Sequence, residues 1–236
     1  MATDVRAKRA SFHALHQEGC FVLPNPWDVG GIRRLEKAGF KALASTSAGA
    51  AWALGRNDGD LSRDEVLEHL RFLCDATDLP VNADFESGFA DEPEDVAANV
   101  SLALDTGVAG LSIEDRTERS LYELHLGVDR IKAAREAITN SGQDVILVAR
   151  SEGFLIGRTD LTATIERLVA YADAGADCLC APGIRDLSVM AKVVSAVAPK
   201  PLNALLLGPE MDVASLADIG VRRVGRLSRR GLGRIW

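Results

Sequence analysis

The chain has 236 residues, 47% of them hydrophobic, with 34 acidic against 27 basic side chains and a formal charge of −7. That length and apolar content suit one large domain with a substantial core, and the acidic balance argues against a nucleic-acid-binding face. No run reaches the length of a membrane span or a signal-peptide core, so a cytoplasmic protein without membrane contact is expected.

Short apolar runs recur along the chain. They fall at residues 21–25 (FVLPN), 41–46 (KALAST), 80–84 (PVNAD), 109–115 (AGLSIED), 145–151 (VILVARS), 176–183 (ADCLCAPG), 201–207 (PLNALLL) and 221–225 (VRRVG). Each reads as a strand. Between them, stretches such as VGGIRRLEKAG, SRDEVLEHLRFLCDATD and LTATIERLVAYADAG show helical spacing of apolar residues. Gly39, Gly107, Gly175 and Gly220 each stand just before a strand, where glycine ends the preceding helix. Eight strands alternating with helices predict a (β/α)8 TIM barrel spanning 1–236 as a single domain. A doubly wound sheet is the alternative, but LPNPWDVGG after the first strand is not its glycine-rich phosphate loop.

The end of the chain departs from the series. Residues 222–236 carry six arginines, and 225–236 read as an atypical basic tail. The last barrel helix is therefore expected to be missing or altered, as a shifted reading frame would leave it.

Barrel active sites lie at the carboxyl ends of the strands. In chain order those ends carry the STSAG stretch (45–49) with a following loop that includes Asp58, then Asp84 and Glu86, Glu114 and Asp115, Arg150 with Ser151 and Glu152, and Asn203. Asp84 and Glu86 stand two apart, and strand alternation puts such positions on one face. Adjacent like charges near a buried strand end call for a positive partner, either a divalent cation or an arginine. Several carboxylates with one arginine match a hard-cation site for an anionic, oxygen-rich substrate. Plainer roles compete: Asp60, Asp64, Asp91 and Asp115 read as caps or loop residues, and Arg150 as a structural partner of Glu114. Trp27 and Trp52 read as packing as readily as site lining. None of the four histidines reads as a ligand, and Cys178 and Cys180 read as buried core thiols.

The stretches LPNPWDVGGIRRLEKAGF, STSAGAAWALGRNDGDLSRDE, PVNADFESGF, GLSIED, VAR and YADAGADCLCAPG, in that order, resemble the isocitrate lyase/phosphoenolpyruvate mutase superfamily. The resemblance runs from about residue 11 to residue 224. It implies a barrel, a bound Mg2+ (with Mn2+ as a substitute), and a homo-oligomer unless the altered C-terminus prevents it. It also implies a small anionic 2-oxo acid as substrate, with a C–C or P–C bond made or broken at C3 through an enolpyruvate-type intermediate. Carried over residue by residue, Asp84 matches the direct metal ligand, and Asp58, Glu86 and Glu114 match acids that hold the metal largely through water. Ser47, Ala48 and Gly49 match the loop that binds the substrate carboxylate and 2-oxo oxygen, with Thr46 or Ser45 as the alternative register. Arg150 matches the arginine that grips the anionic group, and Asn203 joins the substrate-binding set. Asp58, Glu114 and Arg150 form the expected catalytic group.

Departures narrow the reading. Lyases acting on isocitrate or methylisocitrate carry a cysteine in a Lys-Lys/Arg-Cys-Gly-His loop after the fourth strand. Residues 116–127 here read RTERSLYELHLG, without one. A lyase that needs that thiol is not expected. Glu86 stands where many members have Asp, and Ser151-Glu152 where relatives often show Thr-Asp. The alternative function is a catalytically silent barrel that binds a 2-oxo acid or serves as a structural partner.

Overall fold

The structure, a computed structural model, describes residues 4–117, 120–208 and 211–226. Eight strands alternate with helices: β1 (Phe21–Leu23), β2 (Leu43–Ala44), β3 (Val81–Asp84), β4 (Gly110–Glu114), β5 (Ile146–Arg150), β6 (Cys178–Cys180), β7 (Leu202–Leu206) and β8 (Arg223–Arg226). The helices are α1 (Val5–Leu15), α2 (Val29–Lys37), α3 (Ser47–Ala53), α4 (Arg63–Asp75), α5 (Pro93–Leu104), α6 (Leu124–Asn140), α7 (Leu161–Asp173), α8 (Leu187–Val197) and α9 (Val213–Asp218). All strand pairings are parallel, in the order β1-β8-β7-β6-β5-β4-β3-β2. The seam between β1 and β2 is drawn together by Ala44 N–H donating to the Pro24 carbonyl (2.9 Å) and by Asn25 Nδ2 donating to the Ser45 carbonyl (2.9 Å). The expected (β/α)8 barrel is the observed one. Gly39, Gly107, Gly175 and Gly220 all hold φ between 87° and 105°, the left-handed turn that ends a helix before the next strand.

Strand alternation sorts the side chains into two cores. Leu111, Ile113, Leu147, Ala149 and Leu179 face outward into the large cluster shared with the helices. Leu23, Ala44, Ile146, Val148, Cys178 and Cys180 face inward with Phe12. Cys178 and Cys180 are thus core residues, as their apolar context predicts. The same inward period carries the polar set: Asn82 and Asp84 on β3, Ser112 and Glu114 on β4, Arg150 on β5, Asn203 on β7 and Arg223 on β8.

α1 lies across the amino-terminal ends of the strands. Lys8 donates to the carbonyls of Cys74 and Thr77, and Arg9 to those of Leu104 and Val108. Phe12, fully buried, plugs the barrel from below. Gly110 permits this, because a Cβ there would meet both Phe12 Cε1 and Asn82 Oδ1 at 2.7 Å. Among the described residues no helix is long and apolar enough to cross a membrane. The expected loss or alteration of the final helix falls on residues 227–236, outside the described residues.

Candidate active site

The carboxyl ends of the strands surround one cavity of about 560 Å³. Asp84, Glu114 and Arg150 are the last residues of β3, β4 and β5, and the β4–β5 register pairs Glu114 with Arg150 directly. Arg150 Nη1 lies 3.1 Å from Asp84 Oδ1 and 3.0 Å from Glu114 Oε1, and its Nη2 lies 2.9 Å from Glu152 Oε1. Arg150 Nε also donates to Glu152 (3.0 Å). The sequence-level alternatives for Arg150 therefore merge: it neutralises Glu114 and lines the cavity at once. Asp58 reaches the cavity from the loop after α3, where Ser47 Oγ donates to its Oδ1 (2.9 Å).

Glu86 enters the cavity by a different route from the expected one. β3 ends at Asp84, so alternation does not extend to Glu86, which holds φ 47°. The chain turns there, and Glu114 N–H donates to the Glu86 carbonyl (2.8 Å), fixing the turn against β4. Positive φ at a residue with a Cβ is unfavourable, and Phe89 repeats it at φ 58°. The clamp on this loop is Arg130 of α6. Its guanidinium donates to the carbonyls of Ser87, Ala90 and Asp91 and lies 4.1 Å from the Tyr122 ring centroid. Tyr122 in turn donates to Asp91 Oδ1 (2.5 Å).

The STSAG stretch, read from sequence as a loop, is the start of a helix. Thr46 caps α3, its hydroxyl accepting from Gly49 N–H (3.2 Å). Ser47 N–H donates to Asp84 Oδ2 (3.1 Å), and Ser45 Oγ accepts from Asp84 N–H (2.8 Å). Ser45, Thr46, Ser47 and Ala48 line the cavity. Gly49 does not: its N–H serves the cap, and a Cβ there would meet Thr46 Cγ2 at 2.6 Å and Trp27 Cε3 at 3.0 Å. Its place is packing, and the cavity-facing register lies toward Ser45, the alternative weighed above. Asp115 is also corrected. It is buried, accepting from Glu152 N–H (2.8 Å) and Tyr171 Oη (2.9 Å) and pairing with Arg167 (3.3 Å). It braces the strand ends from behind and is neither a cap nor a solvated residue.

Sequence reasoning left out of the site set five polar residues that border the cavity: Asn25, Asn82, Ser112, Arg116 and Arg223. Glu152, placed at the strand ends by the sequence but outside the site set, is a full member through Arg150. Alternation was the signal for Asn82 and Arg223, which sit in phase with cavity-lining Asp84 on β3 and Gly225 on β8. No histidine lines the cavity.

Negative charge exceeds positive here. Burial, with Asp84 and Asp58 nearby, pushes Glu86 up to about 7. Burial also raises Glu114 well above the ordinary carboxylate range, against the pull of Arg150, and raises Glu152. Desolvation works to lower Arg150, but Glu114, Glu152 and Asp84 together hold it well above its usual value. Glu86 has no ion-pair partner among the described residues. A set of oxygen donors with unbalanced negative charge fits a hard divalent cation. Among the described residues no three His, Cys, Asp or Glu side chains close into a cage.

Residues 12–228 match the sequence profile of the phosphoenolpyruvate phosphomutase family. An uncharacterized protein of Mycobacterium tuberculosis is 32% identical over 216 residues, covering 91% of this chain and 80% of that protein. The 2-methylisocitrate lyase of Escherichia coli is 33% identical over 173 residues, covering 69% of this chain and 57% of the lyase. A solved structure from Burkholderia cenocepacia, named as a candidate lyase/mutase, is 45% identical with a TM-score of 0.91. It covers 94% of this chain and 81% of that one.

Proposed function

Because this chain belongs to the phosphoenolpyruvate phosphomutase family, within the isocitrate lyase/phosphoenolpyruvate mutase superfamily of lyases and mutases, we propose that it is a Mg2+-dependent enzyme acting at C3 of a small 2-oxocarboxylate. The C–C or P–C bond at that carbon is made or broken through an enolpyruvate-type intermediate. One observation carries the reading: Asp84, Glu86, Glu114 and Glu152 converge on one cavity where Arg150 pairs with three of them and, among the described residues, no cation pairs with Glu86.

Asp84 would hold the cation directly, with Asp58, Glu86 and Glu114 acting largely through water. Bound there, Mg2+ or Mn2+ supplies positive charge to the carboxylate and 2-oxo oxygens of the substrate, where an enolate builds negative charge. The chain's own contributions are positional. Ser47 holds two of the acids at once, Asp84 through its N–H and Asp58 through its hydroxyl. Arg150 donates hydrogen bonds to Asp84 through Nη1 and to Glu152 through Nε and lies at ion-pair distance from Glu114, so three carboxylates lock it in place on the cavity wall. Asn203 borders the cavity from β7. A cysteine-dependent lyase reaction is outside the proposal, because the thiols here are Cys178 and Cys180, both buried and pushed up by burial, and residues 116–127 supply none.

The test is a panel of C3-substituted 2-oxo acids assayed for pyruvate release with and without Mg2+. The expected result is turnover by at least one substrate that needs the metal and falls by at least about 10²-fold in Asp84→Asn, the scale on which loss of a preorganised charge-stabilising group is felt. Binding of panel members without any turnover would favour the silent barrel instead.

A further inference from the structure

Four cationic side chains are buried among the described residues: Lys8, Arg9, Arg130 and Arg223. Three of them are discharged into backbone carbonyls, Lys8 into two, Arg9 into two with Gln143 besides, and Arg130 into three. Arg223 is the exception. It is 4% exposed, and its hydrogen bonds go to side-chain amides: Nε to Asn203 Oδ1 (2.8 Å) and Nη1 to Asn82 Oδ1 (3.2 Å). A guanidinium carries five N–H groups, so these two bonds orient it without satisfying it. No carboxylate pairs with it among the described residues; burial disfavours its charge, the neighbouring thiols Cys178 and Cys180 work the other way, and Arg150 across the barrel repels it. A buried cation without a counterion is destabilising.

The geometry shows where a counterion would enter. Phe12 closes the underside, its ring centroid 5.9 Å from Arg223 Cζ. The β7–β8 register sets Asn203 beside Arg223, and Asn82, Asn203 and Arg223 all border the cavity. The cavity that Arg223 borders is the side from which an anion would reach its remaining donors. We propose that Arg223, oriented by Asn82 and Asn203, is an anion subsite on the cavity floor that takes a small oxyanion, a carboxylate or a phosphonate, carried by the substrate at the end remote from its 2-oxo group. The substrate is then a dianion whose second acid group is read by β8. The identity of the ligand rests on the 2-oxo acid reading above; the existence of the subsite does not.

Two measurements separate those claims. Thermal unfolding in inorganic phosphate without Mg2+ probes the subsite alone: the midpoint of the wild-type protein should rise, and that of Arg223→Gln should not. Equal responses would overturn the subsite. Calorimetry with Mg2+ then compares oxalate, which occupies only the metal end, with 3,3-difluorooxaloacetate, which carries a second carboxylate. Arg223→Gln should weaken the longer probe at least tenfold and leave oxalate within about twofold. Equal losses would make Arg223 a structural residue, and a phosphate response with no loss for either probe would overturn the assignment to the substrate in favour of a free anion. Should wild-type protein fail to bind oxalate while responding to phosphate, the 2-oxo acid reading fails and the subsite stands. If Arg223→Gln does not fold, Asn203→Asp supplies a fixed carboxylate against the guanidinium and should abolish the phosphate response; a response that persists would refute the proposal.

Discussion

Arg150 pairs with three carboxylates, and Glu86, beside them, has no ion-pair partner among the described residues. With its carboxyl displaced from 4.5 to about 7, Glu86 holds a proton in the metal-free folded state that it does not hold when unfolded. Its contribution to stability is therefore complete below about pH 4.5 and disappears as pH rises through about 7. Urea unfolding of metal-free protein at pH 5 and pH 8 should show this loss, and Glu86→Gln should remove Glu86's share of it, at most roughly 3 kcal/mol. An unchanged pH slope in Glu86→Gln would place the excess charge elsewhere. At this scale the sequence revealed Asp84, Glu114 and Arg150 because each is the last residue of its strand, and position alone identifies such residues in a barrel. Glu86 was found for the wrong reason, since a left-handed turn carries it into the cavity. Arg223 was passed over because its arginine-rich surroundings drew attention to the tail, although its inward phase on β8 was available.

The element that holds this arrangement is the β3–α5 loop, residues 85–92. Two positive-φ residues persist in it because Arg130 caps three of its carbonyls and Tyr122 locks Asp91. Removing the guanidinium leaves buried carbonyls without donors, each worth about 1–3 kcal/mol. Arg130→Met should therefore cost at least about 3 kcal/mol in denaturant unfolding. Tyr122→Phe, which loses one hydroxyl contact, should cost about 1 kcal/mol. A smaller loss for Arg130→Met than for Tyr122→Phe would contradict the clamp. The sequence could not show this device, because residues about 40 positions apart meet only after α6 packs against α5. α3 was hidden for a local reason: seven residues of mostly Ala, Gly and Ser look like a loop, and only the Thr46 cap makes them a helix.

The barrel as a whole was legible because eight apolar runs and four helix-ending glycines repeat the same unit, and repetition tolerates errors in any one boundary. The lower plug was not, since α1 precedes the repeat and its role depends on Lys8, Arg9 and Phe12 reaching three different strand ends. Phe12→Ala should cost about 3–5 kcal/mol, the usual range for emptying a fully buried aromatic site, read as a lowered thermal midpoint; an unaffected midpoint would mean that α1 is not part of the core. Charge, fold and loop geometry all converge on one cavity, and its central property is testable directly. Calorimetric titration of oxalate, an enolpyruvate mimic, into the protein with and without Mg2+ should show binding only with the metal, and Asp84→Ala should abolish it. Oxalate binding that ignores Mg2+, or that survives Asp84→Ala, would contradict a metal-held enolate site.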